Sequence, residues 1–133
     1  MRWWPFSHRQ DRNASLADLP IFPYMQEFVA EMRDVGLPVR ITSVLRTQEE
    51  QDELYEQGRT TPGPIVTWTR NSPHIHGRAF DFAFRQSGLS EYDDDPDAWD
   101  FAGEIGEGLG LVWGPSKGIP DYGHFELPGG TLG

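Results

Sequence analysis

The segment from Arg78 to Phe84 alternates between aromatic and small or acidic residues, and this alternation constrains the fold more than any other feature of the chain. Successive side chains of a β-strand point to opposite faces, so Phe80, Phe82 and Phe84 share one face. Asp81 then lies on the other face, between two alanines. A carboxylate in so apolar a strand is costly unless it is paired, hydrogen-bonded or bound to a metal. The segment therefore predicts a buried strand with a polar site on its second face.

Periodicity elsewhere predicts an α+β fold with a small antiparallel sheet. Helical spacing and capping residues predict helices over about 23–35, 47–57 and 96–109, and alternation predicts further strands over 39–44, 111–113 and 122–127. Residues 1–20 and 58–73 should be irregular, the latter with a short extended piece at 65–68, and the acidic run 91–97 should begin as a solvated loop. Because helices and strands follow no regular βαβ order, the α+β class is favoured, as a single domain over 1–133.

Composition argues against two classes of partner. The net charge of −10 argues against nucleic acid and against anionic membrane surfaces, because like charges repel. The chain has no cysteine, so any bound metal must be held by imidazole and carboxylate groups. No apolar run approaches the roughly 18 residues of a membrane span, and the N-terminus lacks a signal-peptide core. We expect a monomer made in the cytoplasm and carried to any external substrate by another factor.

Three of the four histidines fall within two short glycine-bearing segments, 72–81 and 121–124. His74, Asp81 and His124 would form a catalytic zinc set, because two imidazoles and a carboxylate leave a fourth position open. The alternatives are a surface role for His74, a core hydrogen bond for His124 and a salt bridge from Asp81 to Arg78 or Arg46. His76 competes with His74, and spacing alone does not choose between them.

Two further residues fit hydrolytic chemistry. Asp121 lies three residues before His124 and is a candidate general base, although it is also a plausible turn former. Arg46 ends a predicted strand just before a capped helix. Its guanidinium is placed to stabilise a developing oxyanion, or else pairs at the surface with Glu49 or Glu50. With the zinc set, these residues indicate a hydrolase.

These motifs resemble the zinc peptidase family of D-alanyl-D-alanine carboxypeptidases, D-Ala-D-Ala dipeptidases and phage L-alanyl-D-glutamate endolysins, whose fold the hedgehog signalling domain shares. The family pattern Ser-x-His-x-x-Gly-x-Ala-x-Asp matches at Ser72, His74, Gly77, Ala79 and Asp81. An acid three residues before a histidine matches at Asp121 and His124. Further matches are Ser-x-x-Arg-Thr at 43–47, Leu-Tyr-x-Gln-Gly-Arg at 54–59 and Gly-Leu-x-Trp-Gly at 110–114.

The resemblance implies zinc held by His74, not His76, together with Asp81 and His124. It also implies that Asp121 acts as general base and acid and that Arg46 polarises the substrate carbonyl. We expect the remaining substrate contacts from Ser72, Trp113 and Tyr122.

An aspartate at position 121 and the small size favour an endolysin-like L-alanyl-D-glutamate endopeptidase. It would reach the bacterial cell wall and its stem peptides through a holin-type pore or from a virion. The alternatives are a D,D-carboxypeptidase and a non-catalytic zinc-binding or virion structural module. The acidity of the chain departs from the basic character of many single-domain endolysins.

Overall fold

A computed structural model describes residues 16–85 and 94–129 of the chain. In these residues the helices are α1 (Phe22–Asp34), α2 (Gln48–Glu56) and α3 (Pro96–Gly108), and the strands are β1 (Val39–Ser43), β2 (Ala79–Phe84), β3 (Val112–Trp113) and β4 (His124–Glu126). The strands form one sheet in the order β1-β2-β4-β3, and each pairing is antiparallel. The predicted α+β class with a small antiparallel sheet is confirmed.

The aromatic face of β2 forms the centre of the core. Phe80, Phe82 and Phe84 are all buried, as their alternation predicted. The ring of Phe28 on α1 lies 5.7 Å from that of Phe80 and 5.0 Å from that of Phe82, between ring centroids. Burial of each such side chain stabilises the fold by about 1.5–3 kcal/mol. This packing fixes α1 on one face of the sheet and leaves the second face of β2 for polar groups.

Helix α3 begins at the predicted cap and packs closely on β4. The Asp95 carboxylate accepts a hydrogen bond from the Asp97 backbone N–H at 2.9 Å, and Ala102 is fully buried as expected. At Gly106, an added Cβ would lie only 2.2 Å from the ring of Phe125. Glycine weakens a helix interior by about 1 kcal/mol relative to alanine, and here that cost permits the close helix–sheet contact.

The structure differs from the sequence predictions in three places. The predicted extended piece at 65–68 forms no strand. The irregular region 1–20 contains the 3-10 helix Leu16–Asp18, and a second 3-10 helix, Pro73–His76, begins where the irregular region 58–73 ends. The last predicted strand, 122–127, shortens to His124–Glu126 because residues 121–123 form a turn closed by a hydrogen bond from the His124 N–H to the Asp121 carbonyl. The predictions for residues 1–15 and for 91–93 of the acidic run lie outside the described residues.

Candidate metal centre

Asp81 lies in the middle of the sheet, on the face of β2 opposite the phenylalanines. It pairs in register with Ser43 of β1 and with His124 of β4. Directly opposed residues of antiparallel strands place their side chains on the same face. Strand pairing therefore brings His124 to Asp81, and the imidazole Nδ1 lies 3.0 Å from the carboxylate Oδ1.

A short 3-10 helix, Pro73–His76, brings His74 to the same carboxylate. The Ser72 hydroxyl caps this helix by accepting a hydrogen bond from the His74 backbone N–H at 3.2 Å. Gly77 ends it with a φ of 65°, a backbone conformation that favours glycine. The resulting turn places Nε2 of His74 at 3.3 Å from Oδ1 of Asp81.

The same turn separates His74 from His76, which spacing alone could not do. A β-strand would direct both imidazoles to one side, whereas a 3-10 helix turns residues i and i+2 away from each other. His74 is 2% exposed and reaches Asp81. His76 is exposed, and its Nε2 lies 3.2 Å from the Asn71 side-chain oxygen. The geometry therefore brings His74, and not His76, to the cluster.

His74, Asp81 and His124 form a group that could hold a metal ion. One ligand atom from each residue lies within 4.8 Å of the others, and the two imidazole ring centroids are 5.3 Å apart. Two nitrogens and one carboxylate oxygen are a donor set suited to zinc and related divalent ions.

The outward-facing nitrogens of both imidazoles are already hydrogen-bonded. Nδ1 of His74 lies 2.7 Å from the Val44 carbonyl oxygen, which can only accept, so this nitrogen carries a hydrogen and Nε2 is the nitrogen available to a metal. Nε2 of His124 lies 2.8 Å from Oε1 of Glu126, which leaves Nδ1 facing the cluster. Metal-binding histidines usually donate their second ring N–H in this way. The residues present therefore fit a metal ion.

Electrostatics also favours a cation at this point. Burial raises the pKa of Asp81, but the charges and hydrogen bonds of His74 and His124 outweigh it and hold the pKa far below its usual value. Burial lowers the pKa of His124, but hydrogen bonds to Asp81 and Glu126 outweigh it and raise the pKa to about 9. The Asp81 carboxylate is thus ionised at any physiological pH and offers negative charge to a bound cation.

Arg46 lies beside the cluster and not at the surface with Glu49 or Glu50. Its Nη2 is 3.9 Å from Oδ2 of Asp81 and donates to the Ser43 hydroxyl at 3.2 Å. Burial lowers the pKa of Arg46, while the charge of Asp81 opposes this shift. A guanidinium stays protonated under all ordinary conditions, so this edge of the cluster carries a fixed positive charge.

Gln51 of α2 holds Arg46 in place and was not identified from the sequence. It is fully buried, and its carboxamide oxygen accepts a hydrogen bond from Nη1 of Arg46 at 2.7 Å. Its Nε2 donates to the Thr67 hydroxyl at 3.1 Å and to the Thr69 carbonyl at 2.6 Å. The amide therefore connects Arg46 to the chain segment that precedes the 3-10 helix.

Asp121 lies in the turn before β4, at the solvent-exposed side of the cluster. Its Oδ1 accepts a hydrogen bond from the Gly123 backbone N–H at 3.1 Å, so Asp121 stabilises this turn as well as lying beside the cluster. Loss of solvation raises the pKa of Asp121, and the negative charge of Asp81 raises it further. A carboxylate that interacts with Asp81 and His124 while remaining open to solvent is suited to proton transfer with water.

The predicted substrate contacts divide into two groups. Trp113 and Tyr122 form an aromatic pair next to Asp121, with ring centroids 5.8 Å apart and a hydrogen bond from the Trp113 indole N–H to the Tyr122 carbonyl at 2.8 Å. Tyr122 is half exposed, so its ring is open to a substrate. The Ser72 hydroxyl is buried and hydrogen-bonded to the backbone of His74. Substrate contact by these three residues stays a prediction.

Glu126 was also missed in the sequence. It follows His124 by two residues in β4 and contacts its ring, and the sequence carried a usable signal because residues i and i+2 of a strand share a face.

The fold and this cluster together define a metal-dependent hydrolase. A family model described as D-alanyl-D-alanine carboxypeptidase matches residues 66–127, a range that includes the three candidate ligands and Asp121. The peptidoglycan L-alanyl-D-glutamate endopeptidase CwlK of Bacillus subtilis (strain 168) is 35% identical over 139 residues, covering 90% of this chain and 83% of that protein. The chain belongs to this peptidase family and is a metallopeptidase, as its motifs predicted.

Solved structures share the fold. The L-Ala D-Glu endopeptidase ChiX of Serratia marcescens has a TM-score of 0.61 at 19% identity, covering 84% of this chain and 82% of that chain. The vancomycin-resistance D,D-pentapeptidase VanY, solved in complex with Zn(II), has a TM-score of 0.56 at 17% identity, covering 91% and 78%. At these identities the likeness concerns the fold alone. Within residues 16–85 and 94–129, no helix has the length and apolar character needed to cross a membrane.

Proposed function

We propose that this protein is a zinc-dependent peptidoglycan peptidase that hydrolyses the L-alanyl-D-glutamate bond of the stem peptide. The observation that carries the proposal is the convergence of His74, Asp81 and His124 beside an acid, Asp121, and a cation, Arg46. The activity of CwlK, which is similar over nearly the whole chain, supports the choice of bond. The Zn(II) bound to VanY supports the choice of metal.

The metal would be held by Nε2 of His74, a carboxylate oxygen of Asp81 and Nδ1 of His124. Zinc in such a site supplies Lewis-acid chemistry, polarising a carbonyl and lowering the pKa of water toward neutrality. The hydrogen bonds of His74 and His124 to outer acceptors hold the ring hydrogen on the outer nitrogen, so the two inner nitrogens are directed at one point and can bind the metal once His124 has lost its extra proton.

Asp121 and Arg46 would have separate roles in the reaction, proton transfer and stabilisation of negative charge. The Asp121 carboxylate accepts a proton from the attacking water as the new C–O bond forms. It returns this proton to the amide nitrogen as the C–N bond breaks, so the leaving amine departs neutral. The Arg46 guanidinium donates hydrogen bonds to the carbonyl oxygen, where negative charge develops. Gln51 and Ser43 hold this guanidinium in position before substrate arrives.

A second candidate is a D,D-carboxypeptidase that removes the terminal D-alanine, favoured by the description of the matching family model. The two activities give different products. An L-alanyl-D-glutamate endopeptidase releases stem peptides that begin with a free D-glutamate amine and leaves L-alanine on the glycan. A D,D-carboxypeptidase releases single alanines and leaves the stem attached.

Digestion of purified peptidoglycan by the zinc-loaded protein, followed by mass spectrometry, tests the proposal. We expect peptides with N-terminal D-glutamate, abolished by a chelator and restored by zinc. Single alanines as the only product would establish the second candidate. No cleavage of any peptidoglycan type would favour the non-catalytic zinc-binding or virion structural module instead.

The Asp121→Asn variant tests the assigned proton transfer. Because a general base contributes about 10²- to 10⁴-fold, the rate of stem-peptide release should fall by that factor. Zinc affinity should stay unchanged, because Asp121 lies outside the ligand group. Asp100→Asn, an exposed change on α3, is the matched control. Wild-type hydrolysis by zinc-loaded Asp121→Asn would remove Asp121 from the mechanism.

We further propose an endolysin-like role for a monomer that is made in the cytoplasm and reaches the wall through a holin-type pore or from a virion. Expression in bacteria should cause lysis only when a pore-forming holin is produced as well. Lysis without a holin, or none with it despite activity on purified peptidoglycan, would contradict this delivery route.

A further inference from the structure

Glu126 is a buried carboxylate that the proposed mechanism does not use. It is 4% exposed, and both of its oxygens have partners. Oε1 lies 2.8 Å from Nε2 of His124, and Oε2 accepts a hydrogen bond from the Lys117 ammonium at 2.7 Å. The pair links β4 to the 3-10 helix Gly114–Lys117, which precedes the turn carrying Asp121.

Apart from Lys117 and His124, the strand neighbours of Glu126 give no reason for a charge at this position. Its cross-strand neighbours are Ala79 on β2 and Val112 on β3, both apolar. A carboxylate buried among apolar groups lowers stability unless it is paired. The Lys117 side chain is 26% exposed, so solvent screening limits what this ion pair contributes to the stability of the fold. The carboxylate therefore points to a role in the neighbouring site.

The two histidines of the cluster are fixed by different acceptors. His74 donates to the neutral carbonyl of Val44 and presents Nε2, whereas His124 is held by the charged Glu126 and presents Nδ1. A carboxylate accepts more strongly than a carbonyl, and a carboxylate partner raises the basicity of a metal-binding imidazole. The acceptor also decides which ring nitrogen keeps its lone pair. His124 thus depends on a side chain, while His74 depends on the backbone.

We propose that Glu126, held by Lys117, is a positioning residue of the metal centre. It accepts the Nε2–H of His124, fixes the tautomer of the metal-bound ring and directs Nδ1 at the point shared with His74 and Asp81, so that the three ligands bind the metal more tightly. This inference rests on the metal binding of the proposed function and on no assumption about the substrate.

Zinc affinity, measured by competition with a chromophoric chelator, tests the proposal in the full-length protein. Glu126→Leu removes the acceptor and should weaken zinc binding about 10- to 100-fold. Glu126→Gln keeps an oxygen acceptor for the Nε2–H but removes the charge, so this variant should lose clearly less zinc affinity than Glu126→Leu. Glu104→Gln, an exposed change on α3, is the matched control and should bind zinc as the wild type does.

Long-range proton–nitrogen NMR of His124 provides a readout that a merely structural role would not move. The zinc-loaded wild type should show Nδ1 bound to metal and Nε2 carrying the hydrogen. In Glu126→Leu the ring loses the acceptor that fixes it, so a second, Nε2-bound form should appear. Thermal unfolding shows separately whether each variant is folded, and Glu126→Ala replaces Glu126→Leu if the larger side chain prevents folding.

Three results would overturn the proposal. The first is zinc binding by the folded Leu or Ala variant at position 126 within about twofold of the wild-type affinity, since removal of such a partner normally weakens metal binding more than this. Equal losses in the Gln and Leu variants would show that charge alone acts. Lower stability with unchanged affinity and an unchanged His124 spectrum would show a purely structural role. None of these measurements uses peptidoglycan, so a wild type that binds zinc but cleaves nothing would refute the proposed function and not this inference.

Discussion

Two clusters of charged side chains in this protein use similar groups in opposite surroundings. The buried network lies on β2, β4 and their neighbouring turns and consists of His74, Asp81, His124 and Glu126, with the partly exposed Lys117 at its edge. The surface network lies at the end of α2 and the following loop and consists of Tyr55, Glu56, Arg59 and Arg70.

The surface network is well connected but open to water. Arg70 pairs with Glu56, and its guanidinium lies 4.4 Å from the centre of the Tyr55 ring. Arg59 lies over the same ring at 3.9 Å. Half of the Arg70 side chain is exposed. Solvent screening and the entropy of ordering long side chains leave such pairs with little net stabilisation.

In the buried network, contacts of the same kind shift pKa values strongly. Asp81 and His124 have strongly shifted pKa values because few solvent dipoles compete with their partners. The number of ion pairs in a cluster therefore says little about its importance. Charged groups that stay exposed contribute little to stability or binding, whereas buried charged groups determine what can bind between them.

The largest effect should come from removing a ligand of the buried network. His74→Ala leaves two of three ligands, so we expect zinc binding to be lost and hydrolysis to fall by at least about 10³-fold, corresponding to the several kcal/mol a metal supplies. His76→Ala, two residues away and exposed, should change neither quantity. Chelator competition and muropeptide release measure both. If His76→Ala lost more zinc affinity than His74→Ala, His76 and not His74 would be the metal ligand.

An intermediate effect is expected where the buried network meets α2. Gln51→Leu leaves Arg46 and the Thr69 carbonyl without their amide partner, which should lower the free energy of unfolding by about 1–3 kcal/mol. Misplacement of Arg46 should also lower kcat by up to about 10²-fold, with unchanged zinc affinity. Gln48→Leu, at an exposed amide of the same helix, is the control. An unchanged kcat in a folded Gln51→Leu variant would show that Arg46 needs no such support.

The smallest effect should come from the surface network. Hydrogen bonds from Thr60 and Arg70 lower the pKa of Glu56. Its contribution to stability is therefore present above the unfolded pKa of about 4.3 and is lost as pH falls through the lower folded value. Glu56→Gln should lower the unfolding temperature only slightly at pH 7, and this difference should vanish in acid. Any change in zinc affinity would connect the two networks and weaken the contrast between them.

Local patterns in the sequence predicted those parts of the fold that local chemistry determines. The alternation of Phe80, Phe82 and Phe84 fixed the face of β2 that enters the core, and the caps at Thr47 and Asp95 fixed two helix starts. The length of β4 could not be predicted in the same way. It depends on pairing with β2, which is distant in the chain, as well as on the local turn at residues 121–123.

In the candidate site, too, some features could be predicted from local sequence and others required the tertiary structure. The ligand types and their spacing were visible in the sequence, but the choice between His74 and His76 by geometry needs the 3-10 helix that turns them apart. Gln51 looks like an ordinary surface residue in the sequence, whereas Glu126 could have been found from its place two residues after His124 in a predicted strand. Their importance follows from burial, which depends on how α2 and β4 pack against the rest of the chain.

The use of opposite ring nitrogens gives the two imidazoles different reach. Nε2 of His74 lies one atom further from the backbone than Nδ1 of His124, so one arm of the site is long and the other short. An aspartate oxygen lies about as far from the main chain as Nδ1, and a glutamate oxygen about as far as Nε2. A designer who exchanges donors at this centre should therefore place the shorter acid at 124 and the longer acid at 74.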